Sequence, residues 1–334
     1  MTPNARKNAA RAYQRQHHVP YTEALRAVTA TAADALDDAN PHGDPLSRAD
    51  RRLLDALQIT DPAAMTWPAS WRQHATDHDL TVPIATPIDE PTIATLQLNS
   101  ANSVTAVLGV PGAGKTAALR TITLAMCALY PPERITFACA GGKWGLLHSI
   151  TALPHLATQC FDRWDYRDDD VHPDVARWCA YLDAEIDSRT ATSPKRDREP
   201  ELVVVIDDLD EFLDFNPVAA ATVQRIIDHG RDLGIHLIVS LKQLHTTDRW
   251  TVPVPGRPHE TVRFRPDTVI AFHTFRREES TLALGHPGAW SLAPGLGHAH
   301  IAPPTALGDT PVHILTVLDD DAAALSRRIA ADQQ

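Results

Sequence analysis

This chain of 334 residues is poor in lysine, carrying only Lys7, Lys115, Lys143, Lys195 and Lys242. It has four cysteines, far apart and without a C-x-x-C pair, which excludes a disulfide framework and a cysteine-based zinc site. Buried, reduced thiols are the expected state. Apolar runs such as Leu202 to Ile206 are far too short to cross a bilayer, and no apolar signal segment follows the N-terminus. A cytoplasmic protein without a membrane segment is expected. Positive charge is also in deficit: 31 Lys and Arg against 42 Asp and Glu give a net −11. That argues against coating nucleic acid by bulk charge, but not against touching it through a few loops. Where arginine is so abundant, each remaining lysine is informative, because a compact ammonium is not interchangeable with a guanidinium at a phosphate.

Lys115 stands in the most informative stretch of the chain. Gly109, Gly114, Lys115 and Thr116 satisfy G-x-x-x-x-G-K-[ST], within Gly109-Val110-Pro111-Gly112-Ala113-Gly114-Lys115-Thr116-Ala117. Val104 to Leu108 in front reads as a buried strand, and Thr116 to Tyr130 behind as an apolar helix. This strand–loop–helix context is what a phosphate-binding loop requires. Its backbone N–H groups would turn toward phosphate oxygens at a helix N-terminus, where partial positive charge favours an anion. Lys115 would reach the β- and γ-phosphates of ATP and Thr116 would ligate Mg²⁺.

The remainder is organised around that loop. Residues 1–75 read as a small helical appendage, with a basic first helix carrying Arg6, Lys7, Arg11 and Arg15 and a rigid aromatic turn at Trp67 to Trp71. That appendage could contact DNA or a protein partner, or be a solvated amphipathic face. From residue 76 to 334 strands and helices alternate, which predicts an α/β domain with a central, mostly parallel sheet flanked by helices. Leu80 to Ile84 and Thr92 to Leu98 read as a hairpin leading into Val104. Further strands are expected at Ile135 to Cys139, Leu202 to Ile206, Ile235 to Ser240, Val269 to His273 and Val312 to Leu318. Thr190 to Pro200 and Trp250 to Pro258 read as loops.

The strand Leu202 to Ile206 ends in Asp207-Asp208, a Walker B arrangement. Asp207 is the metal-side carboxylate that completes the Mg²⁺ site with Thr116. Asp208 is the candidate to orient or deprotonate the attacking water. Asp210 and Glu211 read as solvated acids of the next turn.

The order of motifs resembles the FtsK/SpoIIIE-like (FtsK–HerA) P-loop motor ATPases over roughly residues 80 to 318. The resemblance rests on the P-loop, on Gly142-Lys143 with Leu153-Pro154-His155-Leu156, and on Ala176-Arg177-Trp178-Cys179. Gly230-Arg231-Asp232-Leu233-Gly234-Ile235-His236-Leu237 and the closing Gly288-Ala289 and Gly295-Leu296-Gly297 complete it. It implies a RecA-like P-loop NTPase fold, a homo-oligomeric hexameric ring and movement of double-stranded DNA. It also implies an arginine acting on the γ-phosphate of the next subunit, with Arg231 as first candidate and Arg263, Arg265 and Arg276 as alternatives. Hydrolysis would move a pore loop, through Lys143 or Lys195 to Arg198. The sequence departs from the family at Gly141, where an Asp is usual, at Lys242, in the column of a sensor Gln, and at Thr281, where an Arg is expected. Two other readings stay open: a protein-binding or secretion ATPase similar to type VII secretion motors, and a nucleotide switch that does not hydrolyse.

Seventeen histidines invite a metal site. The close pairs His17-His18, His74 and His78, and His298 and His300 have no carboxylate or cysteine at ligand spacing, so surface or loop roles are expected. His236 should be a core histidine with a hydrogen-bond partner, and the tryptophans core or contact residues.

Overall fold

The structure, a computed structural model, describes residues 53–62, 64, 67–74, 77, 79–88, 92–141, 150–160, 172–192, 200–246, 249–257, 260–303, 309–317 and 319–331. The basic first helix, Lys143, Trp144, Trp164 and the Lys195 to Arg198 stretch lie outside these residues.

The described chain opens with α1 (Leu53–Ala56) and α2 (Trp67–His74), followed by the antiparallel pair β1 (Leu80–Pro87) and β2 (Ala94–Leu98). Then come β3 (Val104–Leu108), α3 (Lys115–Leu129), β4 (Ile135–Gly141), β5 (Leu156–Cys160) and α4 (Pro173–Thr192). β6 (Glu201–Asp207), α5 (Leu209–Phe215), α6 (Ala219–Leu233) and β7 (Ile235–Leu241) form the middle of the chain. The last part holds β8 (Thr251–Pro253), β9 (Thr261–Arg263), β10 (Thr268–Ala271), α7 (Arg277–Leu284), β11 (His298–Ala302), β12 (Val312–Ile314) and α8 (Asp319–Ala331).

Ten strands make one sheet, in the order β2-β1-β12-β11-β10-β3-β7-β6-β4-β5. From β10 to β5 every pairing is parallel; from β10 back to β2 every pairing is antiparallel. The mostly parallel sheet flanked by helices is therefore present, with an antiparallel extension on one side. The inner parallel strands β3, β7, β6 and β4 are buried along almost their whole length, as helices covering both sides require, whereas the edge strand β5 is only partly buried. Val203 and Val205 of β6 join the core on the α3 side, whereas Leu202, Val204 and Ile206 join the core under α4 and α6.

Three local expectations are corrected. Trp67 to Trp71 is helical, as part of α2, rather than a turn; Pro68 is tolerated because the first helical turn has no intrahelical partner for its missing N–H. Trp71 is buried and donates its Nε1–H to Cys127 O at 3.1 Å, so α2 packs on α3. The loop after Trp250 contains β8, paired with β9 in a two-stranded hairpin. β11, absent from the expected strands, links β10 to β12. α1 is tied to the same body through Leu53 N–H, which donates to Thr316 O at 2.8 Å.

Candidate nucleotide-binding site

The parallel strands bring their carboxyl ends to one edge, where ligands of such sheets bind. β7 lies between β3 and β6, so the loop after β3, the acids after β6 and Lys242 after β7 emerge side by side. Gly109 N–H donates to Leu241 O at 3.2 Å and Val110 N–H to His273 O at 2.9 Å, fastening the loop to the strand ends on either side. The helix α3 starts at Lys115, one residue after Gly114, whose φ of 114° only glycine adopts without strain. Four orphan N–H groups at the head of this 15-residue helix face the loop.

Lys115 is 6% exposed. Its Nζ donates to Gly109 O at 2.9 Å and to Val110 O at 3.3 Å, and lies 3.7 Å from Asp208 Oδ1. The carbonyls hold the ammonium over the loop, where a phosphate would compete for it.

Thr116 Oγ1 donates to Asp207 Oδ2 at 2.8 Å. The other oxygen, Oδ1, accepts from Ser240 Oγ at 2.6 Å, and Ser240 Oγ in turn accepts from the Asp208 N–H at 2.7 Å. A buried carboxylate is thus stabilised by hydroxyl donors, and Thr116 and Asp207 are brought together as expected. Ser240 was missed by sequence reasoning. Its signal was a single hydroxyl inside the otherwise apolar Leu237-Ile238-Val239-Ser240-Leu241, fully buried in β7.

Asp208 is also at this edge, in a left-handed conformation at φ 55°, ψ 64°. Such a backbone is uncommon for a non-glycine residue and concentrates at functional positions. Its carboxylate sits between two ammonium groups: Lys115 on one side and Lys242 on the other, with Lys242 Nζ 3.9 Å from Oδ2. Lys242 also pairs with Glu211. Asp210 and Glu211 are not the solvated acids expected. They start α5, and Asp210 is buried; burial pushes its carboxyl above the usual range, Asp208 adds to that, and Lys242 and His245 pull it back. An apolar helix face behind two acids, Leu209, Phe212 and Leu213, turns these carboxylates into the site.

Gly141, at a family departure, pairs with Asp207 across β4 and β6. Its φ is 150°, and a Cβ there would lie 3.0 Å from both Asp207 Cβ and Asp207 O. A side chain at this position, such as the aspartate the resemblance leads one to expect, would press tightly on Asp207 in this backbone.

Arg231 is not brought to this edge. Its Nη2 donates to both oxygens of Asp267, at 2.6 and 2.8 Å, and its Nη1 to Ser100 O and Ala101 O at 2.7 and 2.8 Å. Asp267 Oδ2 also accepts from the N–H groups of Ser103 and Val104 at 2.9 Å. This clamp sits at the amino ends of β3 and β10, a strand length away from the loop. Arg276 is paired with buried Glu279, while Arg263 and Arg265 line a surface cleft of about 430 Å³ beside β8 and β9. Arg231→Ala is expected to cost about 1–3 kcal/mol of stability, read as a lower urea midpoint, with turnover per folded molecule kept. Lost turnover at unchanged stability would instead return Arg231 to an action on a neighbouring subunit.

Oxygen donors suit Mg²⁺, and Thr116 and Asp207 present a hydroxyl and a carboxylate 2.8 Å apart beside the loop. The residues present therefore fit a nucleotide with its magnesium.

Residues 63–166 match the FtsK/SpoIIIE family. The ESX secretion system protein EccC of Thermomonospora curvata is 26% identical over 310 residues, covering 86% of this chain and 22% of that protein. The DNA translocase FtsK of Chlamydia trachomatis is 23% identical over 236 residues, covering 64% of this chain and 28% of that one. The chain thus spans about a quarter of the length of these relatives. Among solved structures, the cytoplasmic domain of the Thermomonospora curvata type VII secretion ATPase EccC superposes with a TM-score of 0.64 at 22% identity, over 83% of this chain and 34% of that one. The pCW3 conjugation coupling protein TcpA, in a monomer form with ATPγS, gives 0.54 at 13% identity, over 82% and 76%. The resemblance carried by the ordered motifs holds, and the fold is that of the RecA-like P-loop ATPases.

Proposed function

We propose that this FtsK/SpoIIIE-type chain is a Mg²⁺-dependent ATPase working in a homo-oligomeric, hexameric ring that moves double-stranded DNA. One observation carries the chemistry: Thr116, Asp207 and Ser240 form a hydrogen-bonded chain beside Asp208, which two lysines flank. Gly109 to Ala117 wrap the phosphates of ATP, with N–H groups at the head of α3 taking the negative charge. Lys115 exchanges loop carbonyls for β- and γ-phosphate oxygens. Mg²⁺ at Thr116 and Asp207 would neutralise charge on those oxygens. Asp208 orients a water for in-line attack on the γ-phosphorus and accepts its proton. The bond to the bridging oxygen breaks, and ADP and phosphate leave. We assign the catalytic ATPase to residues 76–334, the helical appendage to residues 1–75, whose α1 and α2 pack on the same body, and the cytoplasm as its site of action. No described helix is long and apolar enough to cross a membrane.

A second cargo is favoured by a specific observation. EccC, a secretion protein, aligns over 86% of this chain, against 64% for FtsK, and the net charge is −11. On that reading the motor grips a protein, through the N-terminal helices or the ring. ATP turnover measured with and without long duplex DNA across a salt series separates the two. Stimulation that falls steeply with salt, as counterion release requires, is expected for the translocase. No stimulation, with ATP-dependent capture of a protein, assigns the chain to the second class. Absent turnover with intact ATP binding leaves the nucleotide switch.

A further inference from the structure

Histidine spacing gave no metal pattern along the chain, but folding brings His286, His300 and Asp309 together, with one ligand atom of each within 4.8 Å of the others. His286 Nε2 lies 2.8 Å from Asp309 Oδ1, and His300 Nδ1 lies 3.6 Å from the same oxygen. Bonds of about 2.0–2.1 Å to a tetrahedral ion place its ligand atoms about 3.3 Å apart, and the two measured separations straddle that spacing. The imidazoles meet edge to face, with centroids 5.2 Å apart.

An independent observation points to a ligand. The His300 side chain is 7% exposed, and its buried Nδ1 faces Asp309 at 3.6 Å, beyond an ordinary hydrogen bond. Buried polar atoms in native proteins are nearly all well satisfied, so a nitrogen held only loosely by a carboxylate and facing a second imidazole has the surroundings of a metal ligand. The backbone there is also held: buried Ser280 Oγ donates to His286 O at 2.9 Å and accepts from Ala289 N–H at 3.0 Å.

We propose that His286, His300 and Asp309 bind one transition-metal dication of the zinc class, distinct from the Mg²⁺ that accompanies ATP. Two imidazole nitrogens and one carboxylate oxygen suit Zn²⁺ or Co²⁺ rather than Mg²⁺, whose preference is for oxygen. Asp309 is 52% and His286 29% exposed, which leaves a fourth position to water. Without metal, His286 Nδ1 accepts from Gly288 N–H at 3.0 Å, so the ring proton sits on Nε2 and is shared with Asp309. Binding moves that proton to Nδ1, frees Nε2 for the metal and releases the Gly288 contact. His300 pairs with Ala271 of β10, two residues before His273, whose carbonyl holds the phosphate loop. The ion would therefore tie β11, the segment after α7 and the segment before β12 to one another, beside the strand that backs the loop.

The test uses the full chain without a polyhistidine tag, stripped of metal and held in saturating Mg²⁺. Titration with Co²⁺ is expected to give one tightly bound ion per chain, with the visible absorption of tetrahedral cobalt, and Zn²⁺ is expected to displace it and raise the unfolding temperature. Asp309→Asn, at an exposed position, and His286→Gln, at a half-buried one, are expected to weaken binding by at least about tenfold while nucleotide binding is kept. A wild type that takes up no Co²⁺ or Zn²⁺ at micromolar concentration overturns the site. So does an Asp309→Asn variant that binds as tightly as wild type, since the ion then rests on other histidines.

Discussion

Lys115→Ala is expected to lower ATP turnover by at least about 100- to 1,000-fold. Phosphoryl transfer leaves little covalent work to the protein, so catalysis depends on where charge is placed. The Lys115 ammonium is already poised over the loop by Gly109 O and Val110 O, so it needs only to trade these carbonyls for phosphate oxygens. The substitution has a second effect that must be separated from the first. Lys115 is buried beside Asp208, and removing one partner of a buried ion pair destabilises the fold. Lys115→Met keeps most of the volume and should fold better while remaining equally inactive. Turnover measured together with the unfolding midpoint for both variants makes the distinction. A folded Lys115→Met variant with near wild-type turnover would remove the lysine from the chemistry.

Asp208→Asn is expected to cut turnover by about 100-fold or more and to leave ATP binding intact or tighter. Asparagine has the shape of aspartate and tolerates the left-handed backbone at φ 55°, so the fold should persist. The amide cannot accept the proton of the attacking water. It also removes a negative charge from the place where a γ-phosphate would sit between Lys115 and Lys242, which lowers repulsion in the bound ground state. A fluorescent nucleotide titration beside a phosphate-release assay reads both effects. Weakened binding with the remaining turnover unchanged per bound nucleotide would make Asp208 a structural acid of the α5 turn.

The parts of this site that lie in one stretch of chain were legible in the sequence. The strand, phosphate loop and helix from Val104 to Leu129 announce themselves by local pattern, because a buried parallel strand must be apolar on both faces and the loop needs its glycines and lysine in order. The same holds for β6 with Asp207 and Asp208. Features built from distant segments were not legible. Ser240 reaches Asp207 from 33 residues away, and only the interposition of β7 between β3 and β6 puts it there. The motif marks Arg231 as a candidate for a neighbour's phosphate but does not show that Asp267, 36 residues on, holds it at the amino edge of its own sheet. Asp210 and Glu211 read as solvated because two acids in a row usually are; the apolar face of α5 buries Asp210 and leaves Glu211 half-buried against Lys242. His286, His300 and Asp309 are separated by 14 and 9 positions, a spacing that matches no local ligand pattern and acquires meaning only when β11 is seated beside β10.

The clamp at the amino edge has a mechanical consequence. Arg231 and Asp267 rivet the loop before β3, the start of β10 and the end of α6 at one place, and Ser103 Oγ ties the same place to Ile235 O at 3.2 Å. Three neighbouring strands are therefore pinned at their amino ends as well as along their ladders, and at their carboxyl ends by Gly109 N–H to Leu241 O and Val110 N–H to His273 O. β3 has five residues, a bar of about 16 Å at the usual rise per residue. Held at both ends, it passes a displacement of the phosphate loop to the opposite edge as a shift of the whole bar rather than as a local bend.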